Sequence, residues 1–301
     1  ISENWDSTIK DVYNGSYKLK GFKEDEVDGE YGNKSITSYD ASLVLQASVG
    51  KTYLSEYQKI AADVNSDGKV NAVDASLILD YAAGKTSLPF QGSSEIWKFE
   101  TYDKNIAVSG YDRYANTLYG ILLGDVSGNW NYNNDPEVRD SKANFNIDAL
   151  VKNNDGTFTM PVTVSMDNAN LFGSDIIVSY DSTVNTLVSV EKMNSISDFG
   201  IDYNEISPGK IKISFAGAKA FDSSDKVINL VFKSNNSSNL IATTVVEAAE
   251  VNEKNVTSVV YRSKDINNDK KVDIYDISDW ALGDNKNSEE NGFVEKKDIN
   301  K

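Results

Sequence analysis

The sequence has no cysteine and no histidine among its 301 residues. Without them, a zinc or iron–sulfur centre has no thiolate or imidazole to bind. A nucleophile of the Ser-His-Asp or Cys-His kind is excluded for the same reason. Disulfides cannot staple a small module here. There is no apolar run long enough to span a bilayer, and no leader or lipid-anchor motif. The first residue is Ile1, not Met, so the expectation is a processed or excised piece of an exported protein. Basic residues are in short supply: 30 Lys and Arg against 46 Asp and Glu, net −16. Such a surface repels phosphate, which argues against nucleic acid as a partner. Acidity also keeps an exported protein soluble, and both accounts of the charge can hold together. The length leaves room for two or three modules.

What is present centres on residues 63–74, Asp-Val-Asn-Ser-Asp-Gly-Lys-Val-Asn-Ala-Val-Asp. Side-chain oxygens fall on alternate residues at Asp63, Asn65 and Asp67. The carbonyl of Lys69 follows, then Asn71, and Asp74 closes the loop at its twelfth place. That is the ligand order of an EF-hand calcium loop, which gathers six to eight oxygens around a hard cation. Gly68 sits at the sharp bend, where a missing Cβ removes the steric cost. Val70 is the apolar residue that anchors the loop to its neighbour. An ordinary Asp/Asn/Gly turn needs no such set at every one of these places.

Residues 265–276 repeat the pattern with Asp265, Asn267, Asp269, the Lys271 carbonyl, Asp273 and Asp276. Lys270 replaces the glycine, which asks a side-chain-bearing residue to accept the tight bend. A second repeat lies earlier. Asp40-Ala-Ser-Leu-Val-Leu matches Asp74-Ala-Ser-Leu-Ile-Leu, and Gly50-Lys51 matches Gly84-Lys85, each pair 34 residues apart. A duplicated unit of this kind buries its apolar face against its twin. Each closing Asp leads into a short helix, marked by Leu43, Leu45 and Val49 in one and by Leu77, Ile78 and Tyr81 in the other. Gly50 and Gly84 are placed to end them. The loop before Asp40 is imperfect. Asn33 falls in register, while Asp28 and Glu30 are one residue out of step. Either the loop carries an insertion and still binds an ion, or it has become a structural turn.

Paired loop-plus-helix units without an incoming helix, closed by Asp rather than Glu, resemble the dockerin family. The resemblance covers residues 24–90, with a partial copy at 264–301. It implies a calcium-folded plug that binds cohesin modules. In that family the two residues before the closing Asp help choose the partner; here they are Ser38-Tyr39, Ala72-Val73 and Ile274-Tyr275. Residues 144–258 resemble a cohesin. Gly156–Ser165, Gly173–Ser182, Lys210–Ala216, Val227–Lys233 and Thr243–Glu247 read as short strands, several alternating apolar with polar residues. Short strands at this spacing argue for a β-sandwich on their own. The stretch at 14–22 resembles the last hairpin of a carboxypeptidase-regulatory-like sandwich. Residues 121–130 open like another calcium loop at Asp125, Ser127 and Asn129 and then depart from it, as a turn against the dockerin-like unit would.

The expected fold is therefore multidomain: small all-α calcium-loop (EF-hand-like, dockerin) modules with an all-β cohesin-like jelly-roll sandwich. The boundaries are 1–23 for the partial hairpin, 24–90 for the dockerin-like module, 91–140 for a β connector, 141–260 for the sandwich and 261–301 for the partial second dockerin. The expected function is non-catalytic, calcium-dependent docking at an extracellular or cell-surface location. Partners would be cohesin- or dockerin-bearing proteins, other copies of the chain included. Calcium would stand in for disulfides, and free calcium outside cells is high enough to fill such loops. Assembly between molecules is the favoured form, with docking inside one molecule equally compatible. The alternative is a carbohydrate-binding or accessory region of a secreted polysaccharide-degrading enzyme. No acidic pair stands in a glycosidase-like context. None of the four tryptophans, Trp5, Trp97, Trp130 and Trp280, lies in 144–258, which leaves Tyr180 and Tyr203 as aromatic candidates there.

Overall fold

The computed structural model describes residues 15–19, 35–99, 104–108, 119–130, 143–166 and 170–255. Two compact units divide the chain, Ile1–Val260 and Tyr261–Lys301, and every described residue belongs to the first. Asp28, Glu30, Asn33, the pattern at 265–276 and the pair Ile274-Tyr275 lie outside the described residues.

The 34-residue duplication builds two matching helices, α1 (Ser38–Ser48) and α3 (Ala72–Ala82), with α2 (Glu56–Ala62) between them. Each long helix starts at a reciprocal capping box. Thr37 and Asp40 form one, Asn71 and Asp74 the other. Two orphan N–H donors are satisfied in each case, which fixes the start of the helix. Both helices end alike. Gly50 and Gly84 take left-handed backbone at φ 70° and 77°. Gly50 N–H reaches Ala47 O and Gly84 N–H reaches Tyr81 O, while Lys51 and Lys85 N–H reach Gln46 O and Asp80 O. The helices bury Ala41, Val44, Ala75, Ile78 and Leu79 in a shared core with Val64. A fully buried aliphatic side chain of this size contributes about 1.5–3 kcal/mol.

A small sheet covers that core. Strand β2 (Trp97–Phe99) pairs antiparallel with β4 (Gly120–Leu122), adding Trp97, Ile121 and Leu122 to the helical cluster. Strand β1 (Gly15–Leu19) pairs antiparallel with β3 (Lys104–Val108). The first strand thus takes a partner far along the chain.

The second half is an antiparallel sandwich. One sheet is built from β5 (Ala143–Ile147), β7 (Phe158–Met166), β12 (Ser224–Ser234) and β9 (Asn185–Lys192) in that order. The short β6 (Val151–Lys152) also pairs with β7. The other runs β10 (Gly200–Ser207), β11 (Lys210–Phe221), β8 (Leu171–Ser179), β13 (Val245–Val251) and β14 (Lys254–Asn255). A short helix, α4 (Ser237–Thr243), joins β12 to β13. Alternation decides what faces inward. Ile211, Ile213 and Phe215 enter the core with Ile176, Phe145 and Phe232. Lys210, Lys212, Ser214 and Ala216 then belong to the opposite face. Ala216 and Ser214 are nevertheless buried, because the helical module covers them.

Candidate functional site

The loop from Asp63 to Asp74 is shaped by its own side chains. Asp63 Oδ1 accepts Asp67 N–H at 3.0 Å and Asp63 Oδ2 accepts Gly68 N–H at 3.0 Å. Asn65 Oδ1 also accepts Asp67 N–H, and Asp67 Oδ1 accepts Lys69 N–H at 2.8 Å. Gly68 takes φ 82°, the conformation the sequence assigned to it, and Ser66 joins it at φ 60°. Val64 is fully buried beneath the loop and Val70 half-buried against the helical core. At the far end Asp74 Oδ2 accepts Asn71 N–H at 3.0 Å, and Asn71 Oδ1 accepts Val73 N–H at 2.8 Å.

One atom is left over. Asp74 Oδ1 is buried without a hydrogen-bond partner. Burial, with the charges of Asp63 and Asp67 nearby, pushes the Asp74 carboxyl above its ordinary range; backbone donors at Asn71 and Asn65 oppose the shift. The Asn65 backbone favours the charged form without making a hydrogen bond to Oδ1. A buried carboxylate oxygen with no donor is costly unless a cation meets it. The donor set, three carboxylates, two amides and one main-chain carbonyl, is all oxygen, which suits calcium. Among the described residues no three Asp, Glu, His or Cys side chains form a metal-holding group by themselves. In this loop, amide and carbonyl oxygens would complete the set.

A related arrangement is split along the chain. Asp125 Oδ1 accepts Gly128 and Asn129 N–H at 2.8 and 3.0 Å, and Oδ2 accepts Trp130 N–H at 3.1 Å. Bonds to the fourth and fifth residues onward are the ones Asp63 makes. Asp40 Oδ2 accepts Thr37 N–H at 2.8 Å, as Asp74 does from Asn71. The two pieces meet where Ser127 N–H donates to Asp40 Oδ1 at 2.8 Å. From the sandwich, Glu253 Oε1 accepts Ser127 Oγ at 2.8 Å and lies 3.2 Å from Thr37 Oγ1. Burial first, then the charges of Glu253 and Asp125, raises the Asp40 carboxyl well above its usual range. Burial likewise raises Asp125. Glu253 is pushed up to about 7, by burial first and the Asp125 charge second. The turn thus packs on the dockerin-like unit as its sequence suggested. No buried side-chain oxygen in this seam is left without a partner as Asp74 Oδ1 is.

The docking contact lies beside this seam. Register across three strands places Gly200, Ala216 and Gly173 in one row and Asp202, Ser214 and Asp175 in the next. The first row has almost no side chain, so helix backbone comes down onto strand backbone. A Cβ at Gly173 would lie 2.6 Å from Tyr39 N and 2.7 Å from Ser38 C and O. The second row is polar and grips the helices. Ser38 N–H and Oγ donate to Asp175 Oδ2 at 3.1 and 2.9 Å, and Ser214 Oγ donates to Asp175 Oδ1. Asp175 therefore meets the positive N-terminus of α1. At the other end, Lys85 forms an ion pair with Asp202, and Lys51 Nζ donates to Ala218 O at 3.1 Å. Asn204 Nδ2 donates to Gly84 O at 2.8 Å. Asp80 is pushed up to about 6, by burial first and then by its contact with Asp202.

The candidate partner-choosing pairs part company here. Ser38 and Tyr39 lie against the sandwich of their own chain. Ala72 and Val73 are exposed, Val73 at 56%. The aromatic candidates for sugar binding are internal or framed by polar contacts. Tyr180 is buried, stacks edge-on against Phe232 at 5.1 Å and donates to Glu205 at 2.9 Å. Tyr203 packs partly against the sandwich core. Trp97 and Trp130 meet at 5.0 Å in the helical cluster. Sequence reasoning missed Gly173, Asp175, Gly200, Asp202, Ser214 and Glu253 as interface residues. Glu253 aside, which lies in the turn after β13, their shared signal is small or polar residues on the outward phase of β8, β10 and β11, which an ordinary solvated face also shows.

Comparison with known proteins agrees with this division. Residues 32–81 match the dockerin type I domain and residues 143–274 match the cohesin domain. A search of curated proteins finds no match. Solved structures similar to this chain include a cohesin module from a Clostridium perfringens family 33 glycoside hydrolase. It shows 12% identity and a TM-score of 0.30, over 37% of this chain and 83% of that one. Another is the sixth cohesin of Acetivibrio cellulolyticus scaffoldin B in complex with a Cel5 dockerin. It shows 23% identity and a TM-score of 0.32, over 40% and 95%. A type I cohesin–dockerin complex from Clostridium thermocellum, Coh-OlpC–Doc435, shows 13% identity and a TM-score of 0.32, over 42% and 92%. Dockerins are generally calcium-binding, and both modules are typical of extracellular cellulosome components. Among the described residues no helix is long and apolar enough to cross a membrane. The chain therefore carries a dockerin domain and a cohesin domain, non-catalytic modules of protein–protein docking.

Proposed function

We propose that this chain is a calcium-ordered docking unit that works outside the cell. Its ion is held by Asp63, Asn65, Asp67, the Lys69 carbonyl, Asn71 and Asp74. The observation that carries this reading is the buried, unpartnered Oδ1 of Asp74. In that place calcium would supply the positive charge that three gathered carboxylates lack. It acts as a folding ligand, since whatever binds only the folded loop stabilises it by mass action. An ion at a hundred times its dissociation constant adds about 2.7 kcal/mol. The ordered loop then fixes the start of α3, and α3 backs α1 against the sandwich.

The same order of ligands at Asp265, Asn267, Asp269, Lys271, Asp273 and Asp276 supports a second ion in the partial dockerin at 261–301. Asp40, Asp125, Ser127 and Asn129 serve as a hydrogen-bonded seam between module and connector. The helical region at 24–90, the connector at 91–140 and the sandwich at 141–260 act together as one docking body.

Calorimetric titration with calcium tests the assignment. Asp63→Ala combined with Asp74→Ala is expected to lower the bound calcium by one ion per chain. It should also lower the melting temperature in millimolar calcium toward that of the chelated protein. Unchanged stoichiometry refutes the ligand set.

A further inference from the structure

Dockerin and cohesin faces ordinarily pair between molecules; in this structure they are already paired within one. In the row Gly200–Ala216–Gly173, Gly173 receives the first turn of α1 so closely that it tolerates no larger side chain, and Leu79 of α3 lies over Gly200. Polar contacts stand at the two ends of the neighbouring row: Asp175 with Ser38, and Asp202 with Lys85. Ala216 packs in the core of the helical module although it belongs to a sandwich strand. Glu253, at the turn between β13 and β14, touches Thr37 and Ser127 and closes the third side.

We infer that this intramolecular seat is a docking site occupied by the chain's own helical module, and that on opening it accepts the same module from a second copy. The inference rests on the docking reading above. The chemistry points to a second copy because every contact is complementary to this chain's own helix ends. The sheet offers an acidic acceptor to a serine at a helix N-terminus and another carboxylate to a lysine just past a helix C-terminus. Exchange of an identical element keeps the contacts unchanged and alters only which chain supplies them, so it is a low-cost route to dimers. Wild-type molecules stay closed because the local partner is always nearer than a foreign one.

Complementation with the full chain in calcium tests this. Gly173→Val blocks the sandwich seat and leaves the helices intact. Ser38→Glu sets a carboxylate against Asp175 and leaves the seat intact; an acidic residue in a first helical turn is otherwise favourable. Each variant alone is expected to be a monomer with a larger radius of gyration than wild type in small-angle scattering. Mixed one to one, they are expected to form a heterodimer of twice 33.1 kDa by light scattering. Wild type should stay monomeric with either. A second pair, Lys85→Glu and Asp202→Lys, inverts one ion pair without placing a side chain on the bare row and should give the same pattern, since mixing restores both ion pairs. Variants of both pairs that stay as compact as wild type overturn the seat and the docking reading together. Variants that open but never associate overturn the exchange alone and leave docking standing.

Discussion

Replacing Asp175 with Ala should loosen the helical module from the sandwich more than any other single polar change on that sheet. The carboxylate accepts from Ser38 N–H, Ser38 Oγ and Ser214 Oγ, and both serines are at most 1% exposed. Hydrogen bonds to a charged group are each worth about 1.5–3 kcal/mol, and a buried donor left unpaired costs about 1–3 kcal/mol. The two hydroxyls can rotate toward other acceptors, whereas the Ser38 amide cannot. Counting that amide nearly in full and the hydroxyls at a fraction gives about 3 kcal/mol. The lost attraction between carboxylate and helix N-terminus, roughly 0.5 kcal/mol, falls within that figure's spread. Three kcal/mol is about a hundredfold in an equilibrium constant. For a body of this size it corresponds to roughly 6–10 °C in melting temperature. Hydrogen exchange is the sharper assay. Protection of the Ser38 and Tyr39 amides should collapse, while amides of Ile176 and Ile213 in the sandwich keep theirs. Asp222→Ala, at an exposed turn, is the control and should change stability by less than about 0.5 kcal/mol. If Asp175→Ala leaves Ser38 as protected as in wild type, the polar row does not hold the helix and the reasoning fails.

Other outcomes are equally concrete. Asp80 has its carboxyl raised to about 6, by burial first and by Asp202 second. An acid whose folded value is raised takes stability away as pH climbs from its unfolded value, near 4, through its folded one. Asp80→Asn should therefore melt higher than wild type above pH 6, with the gain fading toward pH 4; a difference independent of pH excludes this role. Gly217→Ala should destabilise the sandwich by about 1–3 kcal/mol, because the new methyl would lie 2.6 Å from the buried ring of Phe199. Chemical denaturation measures it, and an unchanged midpoint would mean that the ring has room to move.

The loop at 63–74 was legible as a tight turn because its side-chain acceptors are close in sequence and their spacing is the signal. Duplication was legible too, and it correctly placed α1, α3 and the left-handed glycines that end them. Strands β7, β11 and β12 showed themselves by alternation, β8 by its glycine-led pattern and β13 by a β-branched run. Strands β9 and β10 did not, since much of their length is exposed and polar. Helix α2 carried a readable Ser55-x-x-Gln58 box, but it is only seven residues long. The interface was the least legible part. Ser38 and Asp175 are 137 residues apart, and Thr37 and Glu253 are 216 apart. Such pairs exist only once the sandwich is closed and its register fixed. Assembly between molecules looked the more natural form from sequence; within one chain, the helical module packs on its own sandwich.

The bare strip formed by Gly200, Ala216 and Gly173 has one more consequence. At Gly173 main chain rests on main chain, so that position says nothing about which helix lies on it. Identity must be written in its margins, at the two aspartates of the neighbouring row. A new preference would then be engineered by rewriting Asp175 and Asp202 and leaving the strip blank.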